Sequence, residues 1–142
     1  MVQFALMAVI AAAWLVPPGW PDNAQLPLAV VGGVLAGLGL GLALWAHRSL
    51  GAAFTTYTHP PQGAGRVETG PYRLARHPMY GGGILVFAGI SLAFGVVSLL
   101  VTVVLALLWR AKSAAEERVL VARFPDYATY RERTRRRFWP GI

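Results

Sequence analysis

Two short stretches hold most of the groups able to do chemistry in this chain: GPYRLARHPMY at 70–80 and the pair Glu116 and Glu117. The first sets Tyr72, Arg76, His77 and Tyr80 around Pro78, whose ring disfavours helical dihedrals at His77 and suits the first turn of a following helix. Amide groups at such a helix start can receive an anion, and Gly81 to Gly83 permit a ligand to approach the backbone. The other reading of the stretch is an interfacial boundary, with arginines on lipid phosphate and tyrosines in an aromatic belt. Glu116 and Glu117 are adjacent, hence about 100° apart around a helix axis, and do not both face one pocket squarely. One is suited to a ligand cation and the other to an arginine; the alternative is a solvated charged face shared with Arg118 and Arg123. A third cluster, Tyr127 and Tyr130 followed by Arg131, Arg133, Arg135, Arg136 and Arg137, reads by default as a membrane-surface helix held by anionic lipid, with Trp139 at the interface.

The segments that must carry these groups are apolar. The chain has 142 residues, of which 56% are hydrophobic and only 13% charged, and its mean hydropathy is +0.50; a soluble domain has about a quarter charged residues. Residues 2–16 and 28–46 form two apolar runs separated by PPGWP and a short polar stretch. A cleaved signal peptide is an alternative for the first run, but its positively charged leading region is missing. Residues 84–109 are long enough for one tilted helix or for two folded back at 95–98. With the hairpin, every Lys and Arg falls on the side of the N-terminus, and the opposite loop at 17–27 holds only Asp22, as the positive-inside rule requires. The expectation is therefore an all-α integral membrane protein forming a single domain over 1–142. It has four spans at 2–16, 28–46, 84–95 and 96–110, both termini cytoplasmic, in a bacterial inner membrane. Residues 47–80 form a cytoplasmic loop, and 111–142 a cytoplasmic helical extension.

Gly33, Gly37 and Gly41 recur every fourth residue, which predicts a close helix-packing face and a possible contact between copies of the chain. GLGLG at 37–41 lacks the spacing and the preceding strand of a dinucleotide fingerprint. The absence of cysteine excludes disulfides, thiolate nucleophiles and iron–sulfur clusters. His47, His59 and His77 stand apart without carboxylates at ligand spacing, which argues against a metal site. The net charge of +7 and pI near 10.8 come from a basic C-terminal third and a central polar segment. Anionic lipid, rather than nucleic acid, is the expected counter-charge.

The order GPYRLARHPMYGG, a hydrophobic hairpin, EERVL at 116–120, FPDYATY at 124–130 and RFWP at 137–140 resembles the isoprenylcysteine carboxyl methyltransferase and phospholipid methyltransferase superfamily of integral membrane enzymes. The resemblance covers about residues 47–140. It implies that S-adenosylmethionine binds at the cytoplasmic ends of the last helices, beneath the C-terminal segment, and that a lipid-like acceptor enters from the bilayer. The family's cofactor motifs fall on Arg76, His77, Pro78 and Tyr80, on Glu116 and Glu117, and on Tyr127, Tyr130, Arg137 and Pro140. The cofactor's mixed charge suits these residues: Arg76, His77 or the helix-start amides for the carboxylate, either glutamate for the ammonium or ribose, and Tyr80, Leu120 and Phe124 for the adenine, with Tyr72 beside them. Glu117, His77 and Arg137 are the candidate catalytic residues: His77 or either glutamate, Glu116 or Glu117, as base, with no spacing that marks one of them, and Arg137 or a neighbour to orient an anionic acceptor. The acceptor is a carboxylate, an amine or a thiol. The rival expectations are an NADPH-dependent membrane reductase of related architecture and a non-enzymatic membrane subunit.

Overall fold

The structure, a computed structural model, describes residues 2–13, 15–51 and 67–138. Residues 52–66, with His59, and residues 139–142, with Trp139 and Pro140, lie outside the described residues. The described residues form five α-helices and no strand: α1 (Val2–Ala13), α2 (Asp22–Leu50), α3 (Pro78–Phe94), α4 (Val96–Arg123) and α5 (Tyr127–Arg133), with a 3₁₀ turn at Gly70–Arg73. Two of them, α2 and α4, are long and apolar enough to cross a membrane. At 29 and 28 residues they rise by roughly 42–44 Å, against about 30 Å of hydrocarbon. The apolar helix α3 is shorter, with 17 residues, and α1 has 12.

Helix α2 starts before the apolar run because Asp22 and Gln25 build its first turn: Gln25 Nε2 donates to Asp22 Oδ1 at 3.1 Å, and Ala24 N donates to Pro21 O at 2.8 Å. Pro27 lies inside the helix, which continues through it with one backbone hydrogen bond fewer. The break between α3 and α4 falls at Gly95, whose φ of +114° is open to glycine and strained for other residues. A Cβ there would also collide with the Pro18 carbonyl, which accepts a hydrogen bond from Val96 N at 3.2 Å.

The chain divides into two compact units, Met1–Leu40 with Gly83–Trp109 and Gly41–Gly82 with Arg110–Ile142. The first unit buries hydroxylated residues beside Ile10, Leu105 and Trp109 and is apolar outside. Ser91 and Thr102 share a buried hydroxyl hydrogen bond of 2.8 Å, Ser98 Oγ donates to Gly95 O at 3.0 Å, and Trp20 Nε1 donates to Leu92 O at 3.0 Å. Val30, Val34, Leu38, Leu100, Val103 and Leu107 are all exposed. Small and hydroxylated residues between helices, with aliphatic residues outward, are the pattern that lipid favours and water does not.

The expected small-residue face is displaced by one position. Gly32 and Ala36 meet Gly89 backbone to backbone, whereas a Cβ at Gly33, Gly37 or Gly41 would touch nothing within 4 Å. Gly89→Ala would drive a methyl into the Gly32 carbonyl and the Ala36 amide, and is expected to cost about 1–3 kcal/mol. Gly37→Ala, at an open helix position, should be neutral or stabilising by about 1 kcal/mol. Thermal unfolding of the two variants in one detergent compares them directly.

The second unit buries the other kind of residue: Tyr72, His77, Glu117, Tyr127, Tyr130, Thr134 and Phe138. It holds every charged group of the three sequence clusters that the structure brings together.

Candidate functional site

Each element of the second unit delivers its side chains by a local rule. Pro78 opens α3, so His77 immediately precedes the helix and Tyr80 lies in its first turn. On α4, Glu116 and Glu117 lie beyond the apolar stretch that ends at Trp109 and point to different sides of one imidazole. His77 Nε2 donates to Glu117 Oε1 at 3.2 Å, while Nδ1 lies 3.7 Å from Glu116 Oε2. The 100° between adjacent helical positions is thus resolved by a ring placed between them, whose two nitrogens face two carboxylates.

Glu117 is the hub. Its Oε1 also accepts from Arg76 Nε at 2.8 Å, and its Oε2 lies 3.4 Å from Arg137 Nη2 and 4.0 Å from Arg131 Nε. Burial pushes the Glu117 carboxyl up, but the hydrogen bonds from His77 and Arg76 and their charges more than reverse this and hold it at about 2. An ionised carboxylate only accepts, so His77 Nε2 carries a proton. Glu116 is more open than Glu117, with 16% against 5% of its side chain exposed. It accepts from Tyr80 OH at 2.7 Å and lies 3.8 Å from Lys112 Nζ, which also sits over the Tyr80 ring. Burial first, and the Glu116 charge second, push the Tyr80 phenol far above its ordinary value, so it stays a neutral donor.

The segment after α5 is tied to the start of α3 through its backbone. Arg76 N donates to Arg136 O at 3.0 Å and His77 N to Arg137 O at 2.8 Å. Arg76 Nη1 donates to the carbonyls of Thr134 at 2.7 Å and Arg135 at 2.8 Å. One arginine thereby joins a carboxylate on α4 to two carbonyls on the C-terminal segment. Tyr130 OH donates to Tyr72 O at 2.7 Å, and Tyr127 packs against Tyr130 at 5.5 Å between ring centroids. Burial is the main reason that the Tyr72 and Tyr127 phenols are also pushed well above their ordinary range.

Arg76, His77, Tyr80, Glu116, Glu117 and Arg137 are therefore in one cluster. Tyr72, Tyr127 and Tyr130 buttress it, and Pro78 is buried at the helix start. Leu120, on α4, and Phe124, just past its end, are half-buried. Two participants escaped the sequence reading. Phe138, 1% exposed, meets His77 and Tyr80 edge-on, each at 6.3 Å, and Thr134 supplies a carbonyl to Arg76. The RFWP motif flagged the position of Phe138, but a hydrophobic ring among arginines reads first as a membrane anchor.

Such an arrangement can bind a ligand of mixed charge. It offers two carboxylates of unequal exposure, neutral phenols, and arginines held in fixed orientation. One donor is left over: Arg137 Nε is buried and has no hydrogen-bond partner among the described residues. No curated protein and no solved structure matches the chain significantly. Residues 28–126, which include the proline-led start of α3 and both glutamates, match the sequence model of the phospholipid methyltransferases, and the chain belongs to that family of methyltransferases acting on lipid-type substrates.

Proposed function

We propose that the protein transfers a methyl group from S-adenosylmethionine to a lipid-like or membrane-associated acceptor, and that the cluster around His77 holds the cofactor. The observation that carries this reading is the His77 imidazole set between Glu116 and Glu117, with Arg76 on the same Glu117 oxygen. The family match supports the same chemistry. S-adenosylmethionine, when bound, supplies an electrophilic methyl group on a sulfonium.

The residues fit such a molecule. Glu116, the more open carboxylate, is the one available to an ammonium or ribose hydroxyl, while Glu117 is saturated by Arg76, His77 and Arg137 and keeps the site's shape. Arg137 keeps a buried Nε–H for a carboxylate oxygen. Phe138 and Tyr80 provide apolar walls, and the tied C-terminal segment excludes water from a reaction that depends on alignment. Where the acceptor must lose a proton, His77 and Glu116 are the groups placed to take it.

The apolar exteriors of α2 and α4 support a membrane protein. With α1 and α3 as shorter members the reading extends to four spans, both termini on the cytoplasmic side of a bacterial inner membrane, and the arginine-rich segment against anionic lipid. Contact between copies through Gly33, Gly37 and Gly41 belongs to the same proposal, since that face is open in the single chain.

Calorimetric titration of the detergent-purified chain with S-adenosylhomocysteine, run beside NADPH, tests the cofactor. Saturable binding of the first alone, weakened at least tenfold in His77→Ala, is the expected result. Binding of NADPH instead would move the chain to reductase chemistry, and binding of neither by folded protein would leave a non-enzymatic role.

A further inference from the structure

An open cleft of about 470 Å³ lies beside the site, lined by Arg76, Ala128, Arg131, Glu132 and Arg135. Positions 128, 131, 132 and 135 recur at helical spacing, so one side of α5 and of the chain just beyond it forms the wall. The guanidinium groups there are only partly compensated. Half of the Arg131 side chain is exposed, and its Nε is 4.0 Å from Glu117 Oε2, at the limit of an ion pair. Arg135 is exposed, and its side chain has no ion pair or hydrogen bond among the described residues. Arg76 uses Nε and Nη1 on Glu117 and the two carbonyls, which leaves Nη2 without a partner among the described residues. Glu132 is the one carboxylate among the lining residues.

We infer that this cleft is a phosphate-binding site, in which Arg131 and Arg135 grip the oxyanion and Arg76 forms the inner wall. Planar guanidinium forks match the oxygens of a phosphate two at a time, and a half-hydrated surface arginine gives up little solvation to make those bonds. The cavity exceeds what a bare ion fills, and so admits a phosphate together with the atoms attached to it. A phosphate held here would be next to the Arg76–Glu117 pair. It would fix the charged end of an acceptor while the remainder stays in lipid, a role that rests on the methyltransferase reading above.

The test uses the full chain in a non-ionic detergent and three probes: dihexanoyl phosphatidic acid, inorganic phosphate, and dihexanoylglycerol, which lacks the phosphate. Phosphatidic acid is expected to bind saturably and the glycerol lipid not at all. Arg135→Gln and Arg131→Gln should each weaken binding about tenfold, as loss of a charge-assisted hydrogen bond does. Glu132→Gln should tighten binding by removing a like charge from the wall. Arg136→Gln changes the net charge equally at an exposed neighbour outside the cleft and should leave binding unchanged. Inorganic phosphate binding as tightly as the lipid would support the oxyanion site and identify its ligand as free phosphate.

Three results would overturn the inference: equal weakening by Arg136→Gln, which means a diffuse basic surface; no saturable binding of either phosphate probe; or displacement of the probe by S-adenosylhomocysteine, which would assign the cleft to the cofactor's own carboxylate. Titration of the same variants with S-adenosylhomocysteine alone separates failure of this site from failure of the cofactor reading.

Discussion

Glu117→Gln is expected to lower stability by about 3 kcal/mol and to abolish saturable binding of S-adenosylhomocysteine. The loss does not come from one contact. Glutamine is isosteric, but it strips the counter-charge from Arg76, whose side chain is only 8% exposed, and from the partly buried Arg137. An uncompensated buried charge costs more than a missing hydrogen bond. The pH dependence gives the signature. The Glu117 carboxyl is lowered in the fold from 4.5 to about 2. Its contribution is therefore complete above about pH 4.5 and disappears as the pH falls through about 2. Unfolding midpoints of wild type and variant should differ most at neutral pH and converge in strong acid. A gap that persists in acid, or no gap at neutral pH, would remove Glu117 from the centre of the site.

The second large effect belongs to Arg76→Lys, a change that keeps the charge and loses the geometry. A lysine ammonium is a single point of donation and does not reach Glu117 Oε1 and the carbonyls of Thr134 and Arg135 together. The C-terminal segment should then be held by its backbone bonds alone. Hydrogen exchange at the amides of Arg76 and His77, which donate to Arg136 and Arg137, is expected to accelerate about tenfold or more, with two or more charge-assisted bonds lost. Unchanged protection in the lysine variant would mean that the backbone pairing is self-sufficient and that Arg76 serves the ligand, not the fold.

What the sequence disclosed, and what it withheld, follows from where the information resides. RHPMY and the glutamate pair were legible because their chemistry is in side-chain identity, and Pro78 marks its own place at a helix start. The hairpin at Gly95 was legible as an interruption in an apolar run. The link from Arg76 to residues 134–137 was not, since its acceptors are backbone carbonyls that every residue carries. The glycine face was misplaced because two glycines stand side by side at 32 and 33. A four-residue repeat fits Gly33, Gly37 and Gly41, whereas the crossing is decided by the partner at Gly89, some fifty residues away. The early start of α2 was hidden by Pro27, which composition alone reads as a loop.

The ties between residues 76–77 and 134–137 span some sixty positions of chain, and this fixes an order of events during synthesis. When α2, α3 and the apolar part of α4 have left the ribosome, the amides of Arg76 and His77 still lack their acceptors. Glu117 emerges later than its two N-terminal partners Arg76 and His77 and meets them first, while Arg137 and the carbonyls around it follow after α5. The site is therefore assembled only after α4 is complete, and a ribosome stalled at the end of α4 would hold a chain whose site is chemically unfinished.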